Sequence, residues 1–150
     1  MKVMNNRKIK HITLVNRTFD TSLEIIINCS PEKFEKSVRK IRKDKNLKIE
    51  LPEGSGAFYE ISDGETRQVF YFLWIEVFDW SASSQALMVH ELLHYAMAVF
   101  QDRGIPISRD NEETLAYFMQ YCVSDIFWQL RKLNPVYNKA SLKSKFWQKL

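Results

Sequence analysis

The run RQVFYFLWIEVF, residues 67–78, is apolar at odd and even positions alike. Successive side chains of a β-strand point to opposite faces of the sheet, so a strand with one face in water alternates apolar with polar residues. This run does not alternate. It predicts a strand buried on both sides, with other parts of the chain covering each face.

The surrounding sequence supplies candidates for that cover. Residues 12–28, ITLVNRTFDTSLEIIIN, read as two β-rich runs joined near Phe19–Ser22, a hairpin. Ser30 as N-cap, Pro31 as first helical residue and Glu32 at the positive end open a helix. Phe34, Val38 and Ile41 form its apolar stripe, and its other face is basic and solvated. The turn signals PEGSG (52–56) and SDG (62–64) bracket a short strand, AFYEI. Asp79 or Ser81 can cap a helix over 82–102 that Gly104 and Pro106 end. A last helix runs from about Asn111 to about Leu130, with Leu115, Phe118, Met119, Cys122, Ile126 and Leu130 as its stripe. This order predicts an α+β fold: a small antiparallel or mixed sheet packed on an N-terminal helix and two later helices.

With 150 residues the chain is about one domain by length, assigned here to residues 1–130, with 131–150 as a basic C-terminal tail. No apolar run reaches the roughly 18–20 residues of a membrane span, and MKVMNNRKIKHITLV lacks a signal-peptide core. A cytoplasmic protein without a membrane partner is expected. Cys29 and Cys122 form no CxxC and are expected to be buried free thiols. The net charge of +4 is uneven: the last twenty residues hold six Lys or Arg and no acid. That tail, with Tyr137, Phe146 and Trp147 among its lysines, can bind a nucleic acid or acidic partner, or be pinned to the body by its aromatics.

Two of the three histidines lie in LMVHELLHYAMAVF, residues 87–100. Residues four apart on a helix share a face, so His90 and His94 can hold one metal ion, and Glu91 borders them as a base toward water that zinc has acidified. Leu87, Leu92, Leu93, Met97, Val99 and Phe100 predict a largely buried helix. Unpaired buried polar groups cost on the order of 1–3 kcal/mol each, and a metal would satisfy all three.

A catalytic zinc usually takes three protein ligands. Met97 and Phe100 stand where the metzincin pattern has glycine and histidine, so the third ligand must be a carboxylate, and NEETLAY (111–117) offers Glu112 and Glu113. The helical wheel favours Glu112, which points along the Leu115, Met119, Val123 stripe. Acids there also suit the helix dipole, and Asp110 with Glu113 fits a capping box. Tyr117, then Tyr95 and Tyr121, are candidate oxyanion donors. Asp110 and Asp125 can orient a ligand histidine or simply cap and solvate, and His11 is read as incidental.

HELLH followed by ETLAY resembles the HExxH...ExxA arrangement of small gluzincins, in which the glutamate three residues before the alanine is the third ligand; the resemblance assigns that role to Glu113. Over about residues 68–122, VHELLHYAMAVFQDRGIPISRDNEETLAYFMQY resembles short HExxH proteins of tailed bacteriophages and prophages and, more distantly, metallopeptidases that inactivate phage repressors. The resemblance implies a minimal zincin-like fold in the host cytoplasm, one Zn²⁺ on His90, His94 and Glu113, Glu91 activating water, and a peptide or protein substrate. The chain departs from large gluzincins in lacking their substrate-binding subdomains and the aspartate four residues after the ligand, where Tyr117 stands. In zincins an edge strand before the HExxH helix holds the substrate in extended form, and residues 67–78 can supply it if one edge is open; covered on both edges, they would leave the substrate without that access. The alternative expectation is a non-catalytic, zinc-containing phage accessory protein that acts through its basic surface.

Overall fold

A computed structural model describes residues 8–51 and 53–134, so residues 135–150 of the basic tail, with Tyr137, Phe146 and Trp147, lie outside the described residues. The elements follow the predicted order: β1 Lys10–Asn16, β2 Thr21–Ile27, α1 Pro31–Arg42, β3 Gly56–Ser62, β4 Val69–Ile75, α2 Ala82–Asp102 and α3 Glu112–Lys132. The strands form one mixed sheet in the order β1-β2-β4-β3. β1 and β3 are antiparallel to their neighbours, while β2 and β4 are parallel. A parallel pair needs a long crossover, here provided by α1 and β3.

The apolar run at 69–75 lies inside the sheet, with Phe72, Leu73, Trp74 and Ile75 fully buried. Tyr71, Leu73 and Ile75 face one side with Ile25 and Ile27 of β2 and join Met88, Leu92, Tyr95, Phe118 and Cys122 of α2 and α3. Phe72 and Trp74 face the other side and pack with Ile26 and with Phe34 and Val38 of α1. The result is three layers: α1, sheet, then α2 with α3. Each large apolar side chain so buried is worth roughly 1.5–3 kcal/mol, and the Trp74 indole also donates to the Cys29 carbonyl at 2.9 Å.

Local chemistry sets the connections. The Asn16 side chain accepts from Phe19 N–H at 2.9 Å and closes the β1–β2 turn. Ser81 is the N-cap of α2, its hydroxyl accepting from the Ser84 amide. At the other end Gly104 adopts φ +65°, and Ile105 N–H reaches the Phe100 carbonyl while Gly104 N–H reaches that of Gln101. That is a Schellman motif, in which the left-handed residue is most cheaply glycine. At α1, Ser30 occupies the N-cap position without a side-chain cap bond. The expected Asp110–Glu113 capping box is not formed: Arg109–Asn111 make a 3-10 turn, and Asn111 precedes α3 without a side-chain cap bond. The tighter turn carries Asp110 out of the cap position.

One expectation about the sheet is corrected. Residues 69–75 are paired along both edges, by β2 and β3, so they cannot be the edge strand that receives a substrate. The edge next to α2 is β3, where an added Cβ on Gly56 would stand 3.1 Å from the Leu87 side chain. Among the described residues no helix is long and apolar enough to cross a membrane.

The layer arrangement makes unequal demands on leucines. Leu73→Ala, at a fully buried position, should cost about 2–5 kcal/mol. Leu93→Ala, at a position 41% exposed, should cost no more than about 0.5 kcal/mol; urea denaturation of both measures the contrast. Burial raises the Cys29 pKa and pushes the Cys122 thiol up to about 12. Iodoacetamide at pH 8 should therefore leave both thiols unmodified in the folded chain and alkylate both in urea.

Candidate functional site

Helix α2 uses its flanks for different contacts. Met88, Leu92, Tyr95, Ala96 and Val99 face the sheet and α3, and Val89 borders α3 in a groove lined also by Val123 and Phe127. At about 100° per residue, His90 and His94 point well away from Val89, toward solvent, and both are exposed. Glu91 lies on the flank toward β3 and is buried, 6% exposed. The expectation of a largely buried HExxH helix is therefore corrected. Leu93 and Met97 are 41% and 43% exposed, and the histidines owe no desolvation penalty that a metal must relieve. Only Glu91 of the polar triplet carries that cost.

The two imidazoles nevertheless converge. Their Nε2 atoms are 3.2 Å apart and their rings meet edge to face at 81°. A tetrahedral zinc with bonds of about 2.0–2.1 Å to nitrogen holds two nitrogens roughly 3.3–3.4 Å apart, so the pair has the bite of one metal ion. The same separation suits an imidazole–imidazole hydrogen bond, with one Nε2 protonated and the other offering its lone pair. The donor types and the bite fit zinc; the third donor is not in place. Among the described residues no three His, Cys, Asp or Glu side chains are grouped closely enough to hold a metal ion. Glu112 and Glu113 are both exposed in the first turn of α3.

Glu91 has a distinctive setting. Burial raises its pKa, while His90, His94 and a backbone hydrogen bond from Phe58 pull the other way. Phe58 lies on β3 opposite Leu73, so the edge strand runs directly past this carboxyl group. A carboxylate with a raised pKa is a stronger base than one in water.

The remaining candidates are dispersed. Tyr117 is 69% exposed and lines a groove with Val15, Phe19 and Tyr121 that contains neither histidine. Tyr121 donates to the Val15 carbonyl at 2.8 Å. Tyr95 is fully buried, its hydroxyl lacking a partner in good hydrogen-bond geometry although Thr21 lies near enough to oppose the burial that raises its pKa. Asp125 accepts from Gln129 at 2.7 Å. His11 Nε2 lies 2.5 Å from Glu24 Oε2, which also accepts from Thr13, an exposed cross-strand contact remote in sequence from the other two histidines.

Sequence reading missed two features. The first is Phe58 as neighbour of Glu91, whose only signal was the shortness of AFYEI beside a run apolar on both faces. The second is a cluster at the end of α2, where the Tyr71 hydroxyl donates to Asp102 and Glu60 has its pKa raised by burial and by Asp102. Its members come from three elements, and no local motif joins them.

The Glu91 environment sets a pH dependence. Because its pKa is raised in the folded state, the folded state binds this proton more tightly, and the group's contribution to stability falls as pH rises from the ordinary glutamate value through the raised one. In metal-free protein, Glu91→Gln should be more stable than wild type at pH 7 and lose that advantage below about pH 4. Urea denaturation at both pH values checks this, and a less stable variant at pH 7 would contradict it. Comparison of the chain with protein-family models, curated proteins and solved structures finds no match, so its own geometry bears the weight of a functional reading.

Proposed function

We propose that the chain is a zinc-dependent metallohydrolase, most naturally a peptidase, in which His90 and His94 are two ligands and Glu91 is the base. The observation that carries this reading is the pair of Nε2 atoms 3.2 Å apart on a solvent-facing surface, beside a buried glutamate whose pKa burial raises. Zinc held there supplies Lewis acidity, which brings the pKa of water near 7. Glu113 is the proposed third ligand, recruited when metal binds, since binding free energy can be spent on ordering ligands. Glu91 takes a proton at its carboxylate and passes it on, oriented by the Phe58 amide. Among the described residues no strand pairs with the outer edge of β3, so backbone groups other than the Phe58 amide, which Glu91 engages, are placed to take up an extended peptide. Tyr117 lines a groove beside β1, apart from the histidines and from β3, and takes no role in this site.

A second reading is a zinc-containing accessory or binding protein of a phage or mobile element without catalysis. Among the described residues no third donor is grouped with the histidines, and a closed structural zinc, which takes four protein ligands, needs further donors just as the catalytic site does. The two readings part at Glu91. Elemental analysis should find about one zinc per chain in wild type and in Glu91→Gln, and almost none in His94→Ala. Hydrolysis of a mixed-peptide library should fall roughly 10²–10⁴-fold in Glu91→Gln. Zinc equally absent from wild type and His94→Ala would defeat both readings; zinc present with no hydrolysis by wild type would leave the second. Tyr117→Phe should keep full turnover, since its groove contains neither histidine.

A further inference from the structure

A cavity of about 850 Å³ opens at the end of the sheet opposite in character to the histidine face. It lies where β1 ends, where the parallel strands β2 and β4 begin, and where α2 stops. Arg17, Arg67 and Arg103 line it, and His90, Glu91 and His94 do not. The three arginines come from three separate turns, so their convergence is a product of the fold.

Their states differ in a useful way. Arg103 is pinned by Nε and Nη2 hydrogen bonds of 3.1 and 2.6 Å to the Phe19 carbonyl and one of 3.2 Å to that of Asp20, which leaves Nη1 uncommitted. Arg17 and Arg67 are exposed, and among the described residues neither guanidinium has a hydrogen bond or ion pair. Arg67 is also held at φ 56°, a left-handed conformation that costs any residue other than glycine. Hydrogen bonds to Asp63 from Glu65, Thr66 and Arg67 amides fix the turn that presents it. Two acids, Asp20 and Asp102, share the lining, and Asp102 is engaged by the Tyr71 hydroxyl. The lining therefore holds three guanidinium groups and two carboxylates, an excess of one positive charge, with Asp102 held toward Tyr71 and Glu60.

We propose that this cavity binds a small molecule carrying a phosphate group. Planar guanidinium groups match phosphate oxygens in pairs, which Arg17 and Arg67 can do, while Arg103 Nη1 adds a single donor. The exposed Ser22 in the lining adds a hydroxyl donor. The volume is several times what inorganic phosphate needs and falls in the range of small-molecule sites, roughly 300–1,000 Å³. Val15, Val69 and Phe70 supply apolar wall for the rest of the ligand. The assignment is independent of the zinc reading, since the two sites share no residue.

Isothermal titration calorimetry of the full chain at low ionic strength tests it, with inorganic phosphate, uridine 5′-monophosphate and uridine as probes. The monophosphate should bind saturably at one site, at least tenfold more tightly than inorganic phosphate, with no binding of uridine. The double variant Arg17→Gln/Arg67→Gln should melt as wild type does and bind the monophosphate at least tenfold more weakly, whereas Lys40→Gln, on the outer face of α1, should bind as wild type. No saturable binding of either phosphate compound, or equal weakening in Lys40→Gln, would overturn the proposal. Equal affinity for phosphate and the monophosphate would overturn the assignment of the apolar wall.

Discussion

Everything in this molecule is arranged around β4, whose residues 72–75 are fully buried on both faces. A strand of that kind cannot lie against solvent or at a sheet edge without exposing apolar area worth roughly 25 cal/mol per Å². It therefore takes β2 on one side and β3 on the other, with α1 against Phe72 and Trp74 and the α2–α3 pair against Tyr71, Leu73 and Ile75. Once α2 commits Met88, Leu92, Tyr95 and Val99 to that inner layer, the helical period leaves His90 and His94 facing water.

The register of β3 has a chemical consequence. Pairing Phe58 with Leu73 carries the edge strand past Glu91, so the carboxyl group is buried against a backbone amide and not against solvent. Two positions along, where Leu93 is 41% exposed, the same glutamate would have joined the histidines on the open face. Burial and the two imidazoles act on it in opposite directions, and burial dominates, which suits a group meant to hold and release a proton. The proposed metal site is incomplete at its third ligand: α3 packs against α2 through Phe118 on Phe100 and Tyr95, and its first turn, with Glu112 and Glu113, stays exposed and ungrouped with the histidines.

Much of this was legible locally. Ser81 at the start of α2, Gly104 at its end, Pro31 at the first turn of α1 and the stripe Phe118, Cys122, Ile126, Leu130 all declare themselves through spacing and backbone preference, and each occupies its expected place. The failures share a cause. Reading residues 67–78 as a substrate-binding edge contradicted their own pattern, because a strand apolar on both faces belongs in the middle of a sheet. Reading Leu93 and Met97 as buried treated the composition of the helix as if it were uniform around the axis. The contact of His11 with Glu24 had no local signal, since it is set by the pairing of β1 with β2.

The sequence by itself determined the elements, their order, the helix boundaries and the sharing of one helical face by His90 and His94. These depend on contacts within about four residues and on a period of 2 or 3.6, which a linear string displays. Tertiary structure alone decided that β3 is the edge beside Glu91, that the histidines are open to water while Glu91 is not, and that Arg17, Arg67 and Arg103 meet around one cavity. Those relations depend on which strand pairs with which and which flank of α2 meets the sheet. Both are settled by burying β4 on two faces at once, a requirement that no short stretch of sequence can satisfy alone.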